Sequence, residues 1–237
     1  MTRMRVKRMC MTVPLSFVNR KTNIFVGTAG SGKSEIALNV SLELGEFFNV
    51  NLIDADVINF YYNLRSIKHI IENKNINFIS LHFEDKSIDL PVLSGRVFEA
   101  LSSSNGVNII DVGGDELGSR VVGQLKKLLD KKGYSVFYVA NIYRPFNSNE
   151  EEILQNMHEI ESVLGMNITA IINNSHLLSE TKPEDIMKSL QIIQNVAEKK
   201  DIPYILTVVE ENLFEEELLE EIKKYSLVYA IKRYIIR

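Results

Sequence analysis

The sequence has a single cysteine, Cys10, and no tryptophan among its 237 residues. One thiol excludes an internal disulfide framework. It also excludes a metal or cluster site built on a Cys-x-x-Cys pair within one chain. The four histidines show no metal-ligand spacing, and His69 and His158 fall on stretches that read as surface helix. No G-x-S-x-G element and no Cys–His pair is present, so nucleophilic hydrolase chemistry has no support. No apolar run approaches the length needed to span a membrane. The net charge of −4 gives no electrostatic reason to expect nucleic acid as a partner. Arg3, Arg5, Lys7 and Arg8 precede the apolar stretch Met9–Val18, a pattern faintly like a signal peptide, but Pro14 and Ser16 interrupt it. Residues 1–21 therefore read as a basic arm or extra strand of a cytoplasmic protein.

What is present is ordinary in bulk and regular in pattern. A chain of this length, 45% hydrophobic and 24% charged, can bury one large core. Apolar runs at Asn23–Val26, Val50–Asp54, Ile76–Ser80, Val107–Asp111, Tyr134–Asn141, Asn167–Ile172 and Pro203–Val209 read as strands. Between them lie amphipathic stretches: Ser34–Phe48, Phe60–Ile71, Pro91–Leu101, Ser119–Lys131, a helix capped by Ser148 or Asn149 and running to Leu164, and Pro183–Lys199. Pro91 and Pro183 suit first helical positions, and Gly133 and Gly165 suit helix ends. His82–Leu90 is polar and irregular, and Glu215–Arg237 reads as a short acidic helix with a basic, apolar end. Alternation of this kind means right-handed βαβ crossovers. The expected fold is α/β: a three-layer, doubly wound, mostly parallel sheet of about seven strands. Residues 22–210 form the main domain, with 211–237 packed on it as a C-terminal helix and tail.

One stretch carries a specific chemistry. Gly27-Thr28-Ala29-Gly30-Ser31-Gly32-Lys33-Ser34 fits G-x-x-x-x-G-K-[ST], with an apolar strand before it and a helix after it. Such a loop turns consecutive amides inward at a helix N-terminus, where the dipole favours an anion. Lys33 can reach outer phosphates as a point charge, and the Ser34 hydroxyl can ligate Mg²⁺.

The other polar residues sit at strand C-termini, the edge where ligands bind in such sheets. Asp54, Asp56 and Asp111 supply carboxylates for Mg²⁺ or for the attacking water. Asp111 follows Asn-Ile-Ile, the usual context of a Walker B acid, and Asp111-Val-Gly113-Gly114 fits D-x-x-G, whose glycine amide can sense a γ-phosphate. Asn173 and Asn174 follow the sixth strand. An asparagine offers a donor and an acceptor, which match the edge of adenine. His176 stands where a guanine-reading aspartate would stand, which favours ATP over GTP. Arg65 and Arg144 could face phosphates, and Tyr61 and Tyr62 could line a second pocket. The acidic run Glu210–Glu221 reads as a solvated helix face.

With these pieces in place the sequence resembles the MinD/ParA/CobQ-like P-loop NTPases of the SIMIBI class. Gly27–Ser34, Asp54-Ala-Asp56, Asp111-Val-Gly-Gly114 and Asn173 carry the match. Asp54-Ala-Asp-Val-Ile-Asn59, Asn141-Ile-Tyr-Arg-Pro145 and Ile172-Asn-Asn-Ser-His-Leu177 look like a bacterial branch of CobQ/MinD-type ATP-binding proteins. The resemblance spans roughly residues 22–210. It implies ATP and Mg²⁺ as cofactors, with Asp56 positioning the hydrolytic water and Asp111 helping to hold Mg²⁺. Lys33, Asp56 and Asp111 are the expected catalytic residues. Ser34, Asp54 and Asp111 are the expected metal ligands, and the loop residues with Gly114 and Asn173 hold the nucleotide. Relatives of this kind carry a lysine directly after the first loop glycine that reaches into a partner subunit; here that position is Thr28. Three functions stay open on this reading: a slow ATPase switching a protein partner, possible as a homodimer; an ATP-dependent enzyme acting on a small carboxylic acid; and a non-hydrolysing nucleotide-bound scaffold.

Overall fold

In the computed structural model the described residues are 17–18, 20–56, 68–71, 74–80, 95–103, 105–114, 116–211 and 216–235. Arg65, Tyr61 and Tyr62, most of the expected helix Phe60–Ile71, the irregular segment His82–Leu90 and the start of the helix at Pro91 lie outside them.

Among the described residues eight strands form one sheet: β1 (Thr22–Val26), β2 (Val50–Ala55), β3 (Ile76–Ser80), β4 (Val107–Val112), β5 (Tyr134–Ala140), β6 (Ala170–Asn173), β7 (Ile205–Glu210) and β8 (Leu227–Ile231). Their order is β3-β2-β4-β1-β5-β6-β7-β8 and every pairing is parallel. Each strand therefore ends at the same edge, and β1 lies in the interior between β4 and β5. The eighth strand is an addition to the seven expected. Leu-Val-Tyr-Ala-Ile continues the sheet beside β7, where the sequence suggested only an apolar end.

The helices between the strands are α1 (Lys33–Leu44), a single turn α2 (Lys68–Ile71), α3 (Gly95–Ser102), α4 (Glu116–Gly123), α5 (Lys126–Asp130), α6 (Glu150–Leu164), α7 (Pro183–Lys199) and α8 (Glu216–Lys223). The one helix expected over Ser119–Lys131 is thus two, broken at Gln124–Leu125. Helix α6 starts where the sequence put it: the Asn149 side chain accepts from the Glu152 N–H at 3.0 Å, and Gly165 closes the helix with φ 68°.

The sheet has a core on each face, as parallel sheets require. On one face Ile36, Leu38 and Leu44 of α1 pack on Phe25, Leu52, Ile109 and Phe137. Phe17 closes that side by stacking on Phe137 with ring centroids 4.9 Å apart. On the other, residues of α3 to α7 pack on Ile24, Ile53, Ile110 and Tyr138. Because alternate strand residues point to opposite faces, Asp54 and Asp111 fall on the α1 face, next to the start of that helix.

Candidate functional site

Thr22–Val26 is buried along its whole length and delivers the chain to the C-terminal edge of the sheet. The loop that follows is shaped by residues without side chains. At Gly32 the backbone has φ 94°, and a Cβ there would lie 2.1 Å from the Asn174 amide nitrogen. Gly114 is excluded from change by contact: a Cβ would come within 2.4 Å of the Ala29 nitrogen. The D-x-x-G glycine therefore rests directly on the phosphate loop. Gly32 caps α1 with no side-chain hydrogen bond, so the helix begins with its first amides unclaimed by a cap.

Side-chain hydrogen bonds tie the loop down. Lys33 is buried and its Nζ donates to the Thr28 carbonyl at 2.8 Å. The Asn174 amide donates to the Ser31 carbonyl at 2.7 Å. The Thr28 hydroxyl accepts from Asn147, whose own carbonyl accepts from the Tyr138 hydroxyl at 2.7 Å. The Asn156 carbonyl lies 3.0 Å from the same hydroxyl and shares its one proton. Thr28 is thus a tie between the loop and the segment after β5. Asn147, Asn174, Tyr138 and Asn156 are residues that sequence reasoning either missed or gave no such role.

The acids divide. The register of β2 and β4 sets Asp54 beside Asp111. Asp54 is fully buried, and its Oδ1 accepts from the Asp56 N–H at 3.1 Å, a bond that forms the turn after β2. Asp56 is half-buried and lines the cleft in front of the loop; Asp54 does not line it. Asp111 is buried just beneath, with the Ser34 hydroxyl on its carboxylate. Its Oδ1 is buried with no hydrogen-bond partner among the described residues. Burial pushes the Asp111 carboxyl up to about 6; the Lys33 ammonium and the Ser34 hydroxyl oppose the rise, and Asp56 adds to it.

The cleft measures about 570 Å³ and extends from Gly30, Lys33 and Ser34 past Arg144 and His176 to the ends of β7 and β8. Arg144 and His176 therefore line the cleft. Asn173 is not: its amide donates to the Ser189 hydroxyl at 2.9 Å and its carbonyl accepts from the Ser175 N–H at 3.3 Å. The residue of the pair that lines the cleft is Asn174. Among the described residues no group of three or more His, Cys, Asp or Glu could hold a metal by itself. An octahedral cation that keeps water and phosphate ligands needs fewer protein donors, and Ser34 with the unpartnered Asp111 oxygen fits that requirement.

A central buried strand, a glycine loop with a buried lysine, and a helix, set in an all-parallel doubly wound sheet, define the fold as that of a P-loop NTPase. No family model matches the chain, and no curated protein matches it. Among solved structures, the BceF tyrosine kinase domain aligns with a TM-score of 0.41 and 18% identity over 68% of this chain and 71% of that one. FlhF complexed with GMPPNP/Mg(2+) aligns with a TM-score of 0.39 and 10% identity over 98% of this chain and 78% of that one. Among the described residues no helix is long and apolar enough to cross a membrane.

Proposed function

We propose that the chain binds Mg·ATP at Gly27–Ser34 and hydrolyses it slowly, using the bound state as a switch for a protein partner, in the manner of a MinD/CobQ-like NTPase. The observation that carries the reading is the loop itself: a helix N-terminus with no side-chain cap and a buried Lys33, both at a cleft of about 570 Å³. The loop amides and Lys33 bind the phosphates. Ser34 and Asp111 would hold Mg²⁺, which when bound neutralises charge on the phosphate oxygens. Asp56, in the cleft, orients a water toward the γ-phosphorus and accepts its hydrogen bond. Asp54 acts through Asp56 by fixing the turn. Asn174, which lines the cleft, would meet the nucleotide in place of Asn173.

A second reading, transfer to a small molecule, is favoured by one feature. A cavity of about 410 Å³ is lined by Gly27 and Gly114 and by Glu116, Ser119, Asn156 and Glu159 among others. Among the described residues that lining includes no lysine or arginine, which suits an amine or hydroxyl acceptor better than the small carboxylic acid suggested by the sequence.

The test is titration with Mg·ATP and measurement of turnover, alone and with panels of small acids, alcohols and amines. Wild type is expected to bind, and Lys33→Ala to lose about a hundredfold in affinity while keeping its fold, since hydrogen bonds to charged groups are the strong ones. Equal affinity in the variant would sink the phosphate-loop assignment. Strong stimulation by one small molecule would favour the transfer enzyme over the switch.

A further inference from the structure

The cleft that begins at the phosphate loop ends against chain that follows the last strand. Ile231, Arg233 and Ile235 line the same cavity as Gly30 and Lys33. This segment leaves the sheet and crosses α1, and its backbone is fastened there by side chains. Lys232 and Asn39 exchange two hydrogen bonds: the Lys232 N–H donates to Asn39 Oδ1 at 2.9 Å, and Asn39 Nδ2 donates to the Lys232 carbonyl at 2.8 Å. The N–H groups of Tyr234 and Ile235 donate to the two carboxylate oxygens of Glu35 at 2.7 and 2.9 Å. Glu35 is the residue directly after Ser34. Arg233 forms an ion pair with Glu210 at the end of β7.

The chemistry of this end differs from that of the loop. Val208, Ile231 and Ile235 belong to the apolar cluster on the α1 face, Val209 to a smaller cluster on the other face, and the Arg233–Glu210 pair sits beside them. An apolar lining with a few polar groups suits an aromatic base better than a phosphate. Glu35 and Asn39 bind four backbone groups and fasten the segment to α1. We propose that Ile231–Ile235, latched to α1 through Glu35 and Asn39, is the outer wall of the nucleoside subsite. The proposal rests on the reading that the loop binds a nucleoside triphosphate.

Titrating wild type, Asn39→Ala and Ile235→Asp with Mg·ATP and with Mg·tripolyphosphate separates the two ends of the cleft. Asn39→Ala opens the latch at a distance from the phosphates, and Ile235→Asp puts a charge on the wall. Both variants are expected to bind tripolyphosphate as wild type does and to lose about tenfold in ATP affinity. In wild type, amide exchange at Tyr234 and Ile235 is expected to slow with ATP and not with tripolyphosphate, a readout that needs no variant to fold. ATP affinity unchanged in both variants, with exchange indifferent to ATP, overturns the inference. So does an equal loss of both ligands, or a wild type that binds ATP no more tightly than tripolyphosphate. A wild type that binds neither ligand overturns the nucleotide reading itself.

Discussion

Asp56 and Asp111 differ in environment more than their shared chemistry suggests. Asp111 is buried behind Ser34 with one oxygen unsatisfied, whereas Asp56 stands in the cleft. A group that touches only the transition state changes kcat and leaves affinity alone; a group that holds a bound cation changes both. Asp56→Asn is therefore expected to keep ATP affinity and to lower turnover by about a hundredfold. Asp111→Asn is expected to weaken Mg²⁺ dependence and to lower affinity and rate together. Steady-state kinetics against Mg²⁺ and ATP resolve the two. Turnover of Asp56→Asn equal to wild type would make Asp56 a turn residue only. The loop could be read from sequence because Gly, Lys and Ser at fixed spacing have no common structural substitute. Asn147 and Asn174 could not. Asparagine is ordinary in loops, and the loop atoms they bind lie 119 and 143 positions away.

Polar ties link the elements that hold the site. Asn156 of α6, Tyr138 of β5, Asn147 and Thr28 form a buried chain from the second helix layer to the phosphate loop. Cutting it leaves a buried donor unsatisfied, which costs about 1–3 kcal/mol. Thr28→Val keeps the shape and removes the hydroxyl. It is expected to lower unfolding stability by that amount and to weaken ATP binding, while Thr28→Ser restores both. Denaturant unfolding and titration on the same preparations provide the check; an unaffected Thr28→Val would mean that the tie carries no energy. Helix α6 was legible because Asn149 and Gly165 mark its ends in a way few other residues could. Strand β8 was not. Leu227–Ile231 is short and apolar throughout, and nothing local distinguishes an added edge strand from a packed tail.

At the scale of the whole molecule, the fold class followed from the alternation of apolar strands and amphipathic helices, but not the position of each charge within it. Glu43, on the last turn of α1, shows what that leaves out. Burial pushes its carboxyl from the usual 4.5 up to about 7, with Glu46 and Glu211 adding to the rise and the Tyr229 hydroxyl opposing it. The folded state thus holds this proton more tightly than the unfolded chain does. Its contribution to stability is full below about pH 4.5 and is lost as pH rises through about 7. The group is partly exposed, so after discounting for solvent the effect is about 1–2 kcal/mol. Glu43→Gln is expected to match wild type at pH 4 and to be more stable by that amount at pH 8. Thermal melting across this range tests it, and parallel pH profiles would show that Glu43 is not the cause.

The interior position of β1 has a consequence for what a bound ligand does to the molecule. Thr22 and Asn108, joined by a side-chain hydrogen bond, are 86 positions apart, and the other neighbour of β1 begins later still, at Tyr134. Closing chain loops of that length costs entropy, so the strand before the loop holds its place only with distant parts of the chain folded around it. A ligand of that loop needs those parts together, and so it is expected to raise unfolding stability as its concentration rises.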